Sequence, residues 1–264
     1  METKKATWKQ IAAILLLAAG VIFTVFGVLG LVGGSSMTPY EARQGVVMVR
    51  GIIYDTEGNS QWGWGTGWAI GKPGEPVEYI VTNGHVVERA YAYPKQYANI
   101  TGDLKVYFSA AENDFVAGQV VYYSGFNEKD IAIIKLPSAT DKRTALRLRS
   151  SSDVKVGETV YALGYPGTAT VGQDFKTFDQ DDITLTKGVI SKKMTPSFST
   201  YDAFQMDTYI SGGNSGGPLV DENGFVVGIN SAGIEASGID IGMNYAIVAD
   251  ELIKILDSER IEYT

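Results

Sequence analysis

The sequence predicts an all-β chain, with a barrel or sandwich architecture, preceded by one N-terminal transmembrane helix. Short apolar runs with period-two alternation recur after residue 45 and are separated by turn residues. The composition, with 31 glycines and 15 tyrosines, is typical of strands joined by tight turns. One run of 22 residues near the N-terminus has neither a charge nor a proline.

The predicted strands follow one another without intervening helices, which favours a barrel or sandwich over a parallel α/β sheet. They cover residues 46–49, 67–70, 79–82, 106–108, 116–123, 131–136, 159–163, 183–190, 217–220, 225–229 and 243–248. Only residues 249–256 show a helical pattern, with Leu252, Ile253 and Leu256 on one side. A short C-terminal helix is therefore expected to end the domain.

The uncharged run at residues 11–32 is long enough, as a helix of roughly 33 Å, to cross a bilayer. Three lysines lie just before it, which predicts a cytoplasmic N-terminus and an extracytoplasmic body in the cell membrane. A cleaved signal peptide and a buried soluble helix are the alternatives. The predicted division is a cytoplasmic segment, a single-pass signal-anchor, a tether and one domain, at residues 1–10, 11–32, 33–44 and 45–264.

Charge and composition exclude several classes of function. The net charge is −8, so an acidic surface would repel a phosphate backbone, and nucleic acid is not expected as a partner. The chain has no cysteine and one histidine, which excludes disulfides, thiolate metal sites and zinc sites with two histidines. No cofactor or metal is predicted, and the sequence carries no signal for or against an oligomer.

A glycine-rich segment, SGGNSGGPLV at residues 211–220, is the strongest chemical motif. Glycines permit a tight turn that would expose the Ser215 hydroxyl. The same turn could direct the N–H groups of Gly213 and Ser215 to one point, as an oxyanion hole requires. A glycine-rich hairpin without chemistry is the alternative reading of this segment.

A serine nucleophile needs a base, and His85 is the only imidazole in the chain. A carboxylate must then orient that imidazole. Asp130 is the best candidate of the eleven aspartates between His85 and Ser215, because it directly precedes an apolar strand. A solvated turn aspartate beside Lys129 is the alternative. The order His85, Asp130, Ser215 excludes the α/β-hydrolase and subtilisin orders and is that of chymotrypsin.

Three blocks resemble the signature segments of bacterial trypsin-like serine proteases, especially the HtrA/Deg type: TNGHVV at 82–87, DIAIIKL at 130–136 and GNSGGPL at 213–219. Further similarity covers most of residues 45–256. The resemblance implies a chymotrypsin-like pair of six-stranded antiparallel β-barrels, with the triad in the cleft between them. It also implies ATP-independent hydrolysis of peptide bonds, with proteins or peptides as substrates.

Two departures from that family qualify the expectation. HtrA-type enzymes usually carry a C-terminal PDZ domain, and we do not expect one here, because little sequence follows the predicted domain. Gly84 stands before the histidine, where the family more often has asparagine or alanine.

The resemblance also suggests which residues bind substrate. The position six residues before the serine, acidic in enzymes that cut after Lys or Arg, is Tyr209. We therefore expect cleavage after small or medium apolar residues. The predicted pocket residues are Tyr209, Ile210, Asn230, Ser231 and Ala232. A catalytically silent module that binds peptides or unfolded segments is the rival function.

Overall fold

Two β-structures follow one another along the chain and carry the residues of the predicted site between them. The structure is a computed structural model that describes residues 36–111, 114–167, 179–197, 199–236 and 239–264. The first β-structure is a seven-stranded sheet, and the second is a closed six-stranded barrel. The prediction of an all-β domain is confirmed.

The first half is an antiparallel sheet with the order β5-β4-β1-β2-β3-β7-β6. Its strands are β1 (Val46–Tyr54), β2 (Ser60–Ile70), β3 (Val77–Thr82), β4 (Thr101–Tyr107), β5 (Phe115–Ala117), β6 (Gln119–Tyr123) and β7 (Ala132–Thr140). Two short helices, α1 (Gly84–Tyr91) and α2 (Tyr93–Gln96), follow β3.

The second half is a barrel that closes in the order β10-β13-β12-β11-β8-β9. Its strands are β8 (Thr159–Gly164), β9 (Thr184–Met194), β10 (Ala203–Met206), β11 (Pro218–Asp221), β12 (Val226–Ala236) and β13 (Ile239–Val248). Helix α3 (Ala249–Glu259) follows β13 directly, which confirms the predicted C-terminal helix.

The prediction of two six-stranded barrels is confirmed for the second half, whereas the first half is a seven-stranded sheet in which the predicted strand at 116–123 is two strands. Gly118 separates β5 from β6, and its N–H donates to the Leu104 carbonyl at 2.9 Å. A Cβ on Gly118 would lie 2.5 Å from the Ile134 side chain, so a larger residue does not fit there. β5 pairs with β4 and β6 with β7, so this one residue carries the chain from one sheet edge to the other.

The prediction that only the C-terminal segment is helical was also wrong. His85 lies in α1 and not in a turn. With only eight residues, α1 buries little more than Val87 and Ala90, which is too few to produce a visible helical period. Strand β10 was also missed, because its four residues are too few to show a clear alternation.

The hydrophobic core is continuous from one half to the other. One cluster fills the sheet and another fills the barrel. A third cluster joins Trp68, Val81 and Ile131 of the sheet to Leu163 and Val220 of the barrel. Packed apolar side chains therefore hold the two halves together, and the predicted triad lies along this junction.

The predicted transmembrane segment at residues 11–32 lies outside the described residues. In the part of the chain that the structure does describe, no helix is both long and apolar enough to span a bilayer.

Candidate active site

His85 and Asp130 are brought together by the pairing of two neighbouring strands. β3 and β7 are antiparallel, and Thr82 at the end of β3 lies opposite Ala132 at the start of β7. The residues just after β3 and just before β7 therefore meet at one edge of the sheet. His85, the second residue of α1, and Asp130 occupy those two positions.

The His85 imidazole is held by the Asp130 carboxylate. Its Nδ1 lies 3.0 Å from both Asp130 oxygens, and the His85 backbone N–H donates to Oδ1 at 3.0 Å. Asp130 is fully buried, whereas the imidazole is 28% exposed, so the ring presents one side to the cleft. This burial excludes the alternative of a solvated turn aspartate.

Asp130 has an unusual backbone. Its φ of 51° lies in the left-handed region, which is sparsely populated by residues other than glycine. Its N–H donates to the Gly125 carbonyl at 3.0 Å. Its own carbonyl accepts from the Asn83 side chain at 2.9 Å. Such a conformation persists where surrounding contacts fix it, and it is often found at functional sites.

Ser215 lies in the turn that precedes β11, and backbone hydrogen bonds fix this turn. The Thr66 N–H donates to the Ser215 carbonyl at 2.9 Å, and the Gly216 N–H donates to the Asn230 carbonyl at 2.8 Å. The Ser215 hydroxyl donates to the Ser231 carbonyl at 3.1 Å. Within the described ranges, no hydrogen bond joins this hydroxyl to His85, as is common in active sites without substrate.

The turn also fixes the backbone of the predicted oxyanion hole. Gly213 has a φ of 102°, and its carbonyl accepts from the Thr66 hydroxyl at 2.7 Å. The N–H groups of Gly213 and Ser215 have no acceptor among the residues whose positions are described. A Cβ on Gly213 would lie 2.2 Å from the Tyr165 carbonyl oxygen, so the position requires glycine.

Ser231, predicted to line the substrate pocket, contacts the catalytic candidates directly. β12 has a bulge between Asn230 and Ala232, and Ser231 is the extra residue. Its hydroxyl donates to Asp130 Oδ2 at 2.8 Å, while its carbonyl accepts from Ser215. Nearby, burial raises the pKa of the Tyr201 phenol to about 12, and the Asp130 charge adds to this shift.

The other predicted pocket residues differ in their exposure. Tyr209 is half exposed, whereas Ile210 is buried. Asn230 is fully buried, and its side-chain amide donates to the carbonyls of Leu163 and Pro218 at 3.3 and 3.2 Å. The Asn230 amide thus forms its hydrogen bonds inside the barrel. Ala232 pairs with Tyr245 across β12 and β13. The substrate role of these residues stays a prediction.

Trp64 is a neighbour of the site that the sequence analysis missed. Its indole Nε1–H donates to the Tyr165 carbonyl at 3.2 Å. A Cβ on Gly213 would lie 2.9 Å from this Nε1, so the indole packs against the predicted oxyanion turn. The Trp62 ring lies beside the Trp64 ring, and the two ring centroids are 5.7 Å apart. The alternation WGWGTGW at residues 62–68 was the available signal, because residues two apart in a strand place their side chains on the same face.

A family model described as "Trypsin-like peptidase domain" matches residues 65–229, which contain His85, Asp130 and Ser215. The chain belongs to this family. The relatives that this trypsin-like peptidase domain resembles include proteins named as Do-like proteases. Among the described residues, no group of three or more His, Cys, Asp or Glu could hold a metal ion.

Curated relatives of the domain carry the names of Do-like and HtrA proteases. The chain is 33% identical over 202 residues to "Protease Do-like 1, chloroplastic" of Arabidopsis thaliana, covering 74% of this chain and 39% of that protein. It is 29% identical to "Serine protease Do-like HtrA" of Bacillus subtilis, and the match covers 77% of this chain and 40% of that protein. The chain thus spans well under two thirds of the length of these relatives. The prediction that a PDZ domain is missing stays a prediction.

Solved structures agree on the fold. The peptidase superposes on "HtrA-type protease AlgW with tripeptide" with a TM-score of 0.57 at 25% identity, covering 84% of this chain and 60% of that chain. A second structure, "HtrA-type protease AlgW with decapeptide", gives a TM-score of 0.60 at 22% identity. This match covers 84% of this chain and 65% of that chain, and it supports the fold alone.

Proposed function

We propose that this trypsin-like peptidase is a membrane-anchored endopeptidase that hydrolyses peptide bonds of extracytoplasmic proteins with His85, Asp130 and Ser215 as its catalytic triad. The observation that carries the triad is the Asp130 carboxylate, fully buried and bonded to both the Nδ1 and the backbone N–H of His85. A buried carboxylate in that position fixes the imidazole with Nε2 facing outward as a base.

In the proposed reaction, the Ser215 hydroxyl rotates away from the Ser231 carbonyl and gives its proton to His85 Nε2. The oxygen attacks the substrate carbonyl carbon, and a tetrahedral intermediate forms. The N–H groups of Gly213 and Ser215 stabilise its negative oxygen. The imidazolium then donates its proton to the leaving amine, the C–N bond breaks, and an acyl-enzyme remains. Water, activated by His85, releases the acyl group and restores Ser215.

Asp130 stabilises the imidazolium that exists between these proton transfers. Its second oxygen accepts from Ser231, so that both oxygens of the buried carboxylate have donors. A buried charge that is paired and hydrogen-bonded avoids the large desolvation cost of an isolated one. Ser231 and His85 thus both donate to this carboxylate at its buried position.

We extend the proposal to specificity, with Tyr209 at the base position of the primary pocket. No acidic side chain stands at that position, which supports cleavage after small or medium apolar residues. Cleavage products of a peptide library, identified by mass spectrometry, test this. A clear preference for Lys or Arg before the cut would refute it.

The membrane anchor rests on the apolar run at residues 11–32 and the lysines before it. One relative carries the name "Probable periplasmic serine endoprotease DegP-like", from Hahella chejuensis, which supports an extracytoplasmic location. Fractionation of cells that express the full chain, followed by digestion with an external protease, tests both points. Recovery in the soluble cytoplasmic fraction would contradict the anchor.

The decisive experiment treats the full chain with a fluorescent fluorophosphonate and compares it with Ser215→Ala. We expect labelling and casein hydrolysis by the unmodified chain, and a loss of about 10⁴-fold or more in the variant. Ser211→Ala, in the same glycine-rich segment, is the matched control and should still be labelled. Peptide binding without any Ser215-dependent labelling would instead support the silent binding module.

A further inference from the structure

We propose that Glu251, on α3 behind the active site, is a positioning residue for Asp130 and acts through the side chain of Lys129. This inference rests on the proposed function, because it assigns Asp130 the task of orienting His85. Glu251 touches neither the imidazole nor the cleft. Its role is to hold the backbone from which the Asp130 carboxylate projects.

The loop before β7, residues 124–130, is where the effect would be exerted. Within this loop, the Ser124 hydroxyl donates to the Glu128 side chain at 2.9 Å and accepts from the Lys129 N–H at 3.0 Å. The Asp130 N–H closes the loop on the Gly125 carbonyl. The loop therefore ends in a left-handed residue that must be kept in place by its surroundings.

Three consecutive residues of this loop are each held by a different element of the second half. The Thr200 hydroxyl, ahead of β10, donates to the Glu128 carbonyl at 3.0 Å. The Lys129 ammonium binds the Glu251 carboxylate on α3. The Ser231 hydroxyl, on β12, donates to Asp130. The loop belongs to the sheet, yet its conformation is clamped from the barrel side.

Among these three contacts, the one from Glu251 is between full charges at a buried site. Glu251 is only 5% exposed, and its two oxygens bind Lys129 and Lys254. Burial raises the pKa of the Glu251 carboxyl, but hydrogen bonds from the two lysines outweigh it and hold the pKa below its ordinary value. Removal of one partner from a buried pair leaves the other charge uncompensated, which strongly favours rearrangement.

The two lysines on Glu251 differ in one respect that makes the role testable. Lys129 directly precedes Asp130, whereas Lys254 lies on α3 itself, three residues after Glu251. The Lys254 side chain is 67% exposed and has no link to the loop that the structure records. Loss of Lys254 weakens the charge balance of Glu251 without releasing Asp130. It is therefore a matched control for loss of Lys129.

The single histidine of the chain provides a readout that does not depend on turnover. In full-length protein labelled with ¹⁵N-histidine, every imidazole signal belongs to His85, and the Nδ1 proton bonded to Asp130 should appear as one low-field resonance. We expect Glu251→Gln and Lys129→Met to broaden or shift this resonance and to lower kcat about tenfold with little change in KM. Lys254→Met should leave both the resonance and kcat as in the unmodified chain.

The outcomes separate this inference from the proposed function. If the unmodified chain shows no Ser215-dependent labelling, the proposed function fails, while the resonance still reports whether Glu251 positions Asp130. If the unmodified chain is active but Lys129→Met and Glu251→Gln keep the resonance and kcat, the inference is overturned. Should Glu251→Gln not fold, Lys129→Met decides alone, because its side chain is partly exposed. An equal effect of Lys254→Met would also overturn the inference.

Discussion

The two halves of the molecule hold the proposed catalytic groups by different means. In the sheet, His85 and Asp130 are fixed by side-chain hydrogen bonds to a fully buried carboxylate. In the barrel, Ser215 and Gly213 are fixed by backbone hydrogen bonds around a glycine turn. The proposed base and acid thus both lie in the first half, and the proposed nucleophile lies in the second. The first half should be sensitive to charge, and the second to a Cβ added at Gly213.

Replacement of the buried charge should have the largest effect. Asp130→Asn keeps the shape but removes the charge and favours the wrong imidazole tautomer, so kcat should fall by about 10⁴-fold. Hydrolysis of a fluorogenic peptide measures this loss. Asp103→Asn, at an exposed position of β4 in the same half, is the control and should be fully active. A loss below about tenfold in Asp130→Asn would mean that another group orients His85.

Addition of one methyl group to the barrel-side turn should have the next largest effect. In Gly213→Ala the new Cβ would meet the Tyr165 carbonyl at 2.2 Å, at a φ of 102° that alanine avoids. The displaced N–H should cost about 10² to 10³-fold in kcat.

Gly212→Ala is the matched control for this turn, because its Cβ would meet nothing within 4 Å. It should retain activity close to that of the unmodified chain. Equal losses in the two variants would show that the turn as a whole, and not the Gly213 N–H, is what matters.

On the sheet side, a methyl group added at Gly84 should affect the stability of the fold more than the rate of catalysis. A Cβ on Gly84 would lie 1.9 Å from the Ser124 carbonyl oxygen. We expect Gly84→Ala to lower the free energy of unfolding by about 1 to 3 kcal/mol. Denaturant unfolding measures this, with Gly63→Ala, where a Cβ meets nothing within 4 Å, as the control. An unchanged midpoint would show that α1 can shift away from Ser124 at little cost.

The smallest expected effect concerns the ion pair between Lys129 and Glu251, which links the two halves. Because the pKa of Glu251 in the folded chain lies below its ordinary 4.5, the ionised pair stabilises the fold above that pH. The contribution is lost as the pH falls through the folded-state value. The difference in Tm between the unmodified chain and Glu251→Gln should therefore be constant near neutral pH and shrink below about pH 4.5. A difference that does not change with pH would mean that the pair is not ionic.

Much of the site could be predicted from the sequence because its chemistry is local. The glycine turn around Ser215 and the single histidine are visible in the residues themselves, and the chain order then selects among folds. Asp130 could be chosen because an apolar strand follows it. The structure adds that the pairing of β3 with β7 is what brings it to His85.

The rest could not be predicted, because it depends on contacts between residues far apart in the chain. Ser231 is directed at Asp130 by a bulge, and a one-residue shift of register leaves no mark on the sequence pattern. The split falls at Gly118, which packs against the side chain of Ile134, a residue distant in the sequence. The short α1 has too few buried positions to show a period. Glu251 and Lys129 are separated by more than a hundred residues, so neither one points to the other.

The closing strand of the barrel has a consequence for the order in which the candidate site can form during synthesis. β13 pairs with both β10 and β12, and it follows Ser215 in the chain. The barrel that carries the Ser215 turn can therefore close only after His85, Asp130 and Ser215 have all been synthesised. The two parts of the proposed triad are thus completed in chain order, with the serine turn last.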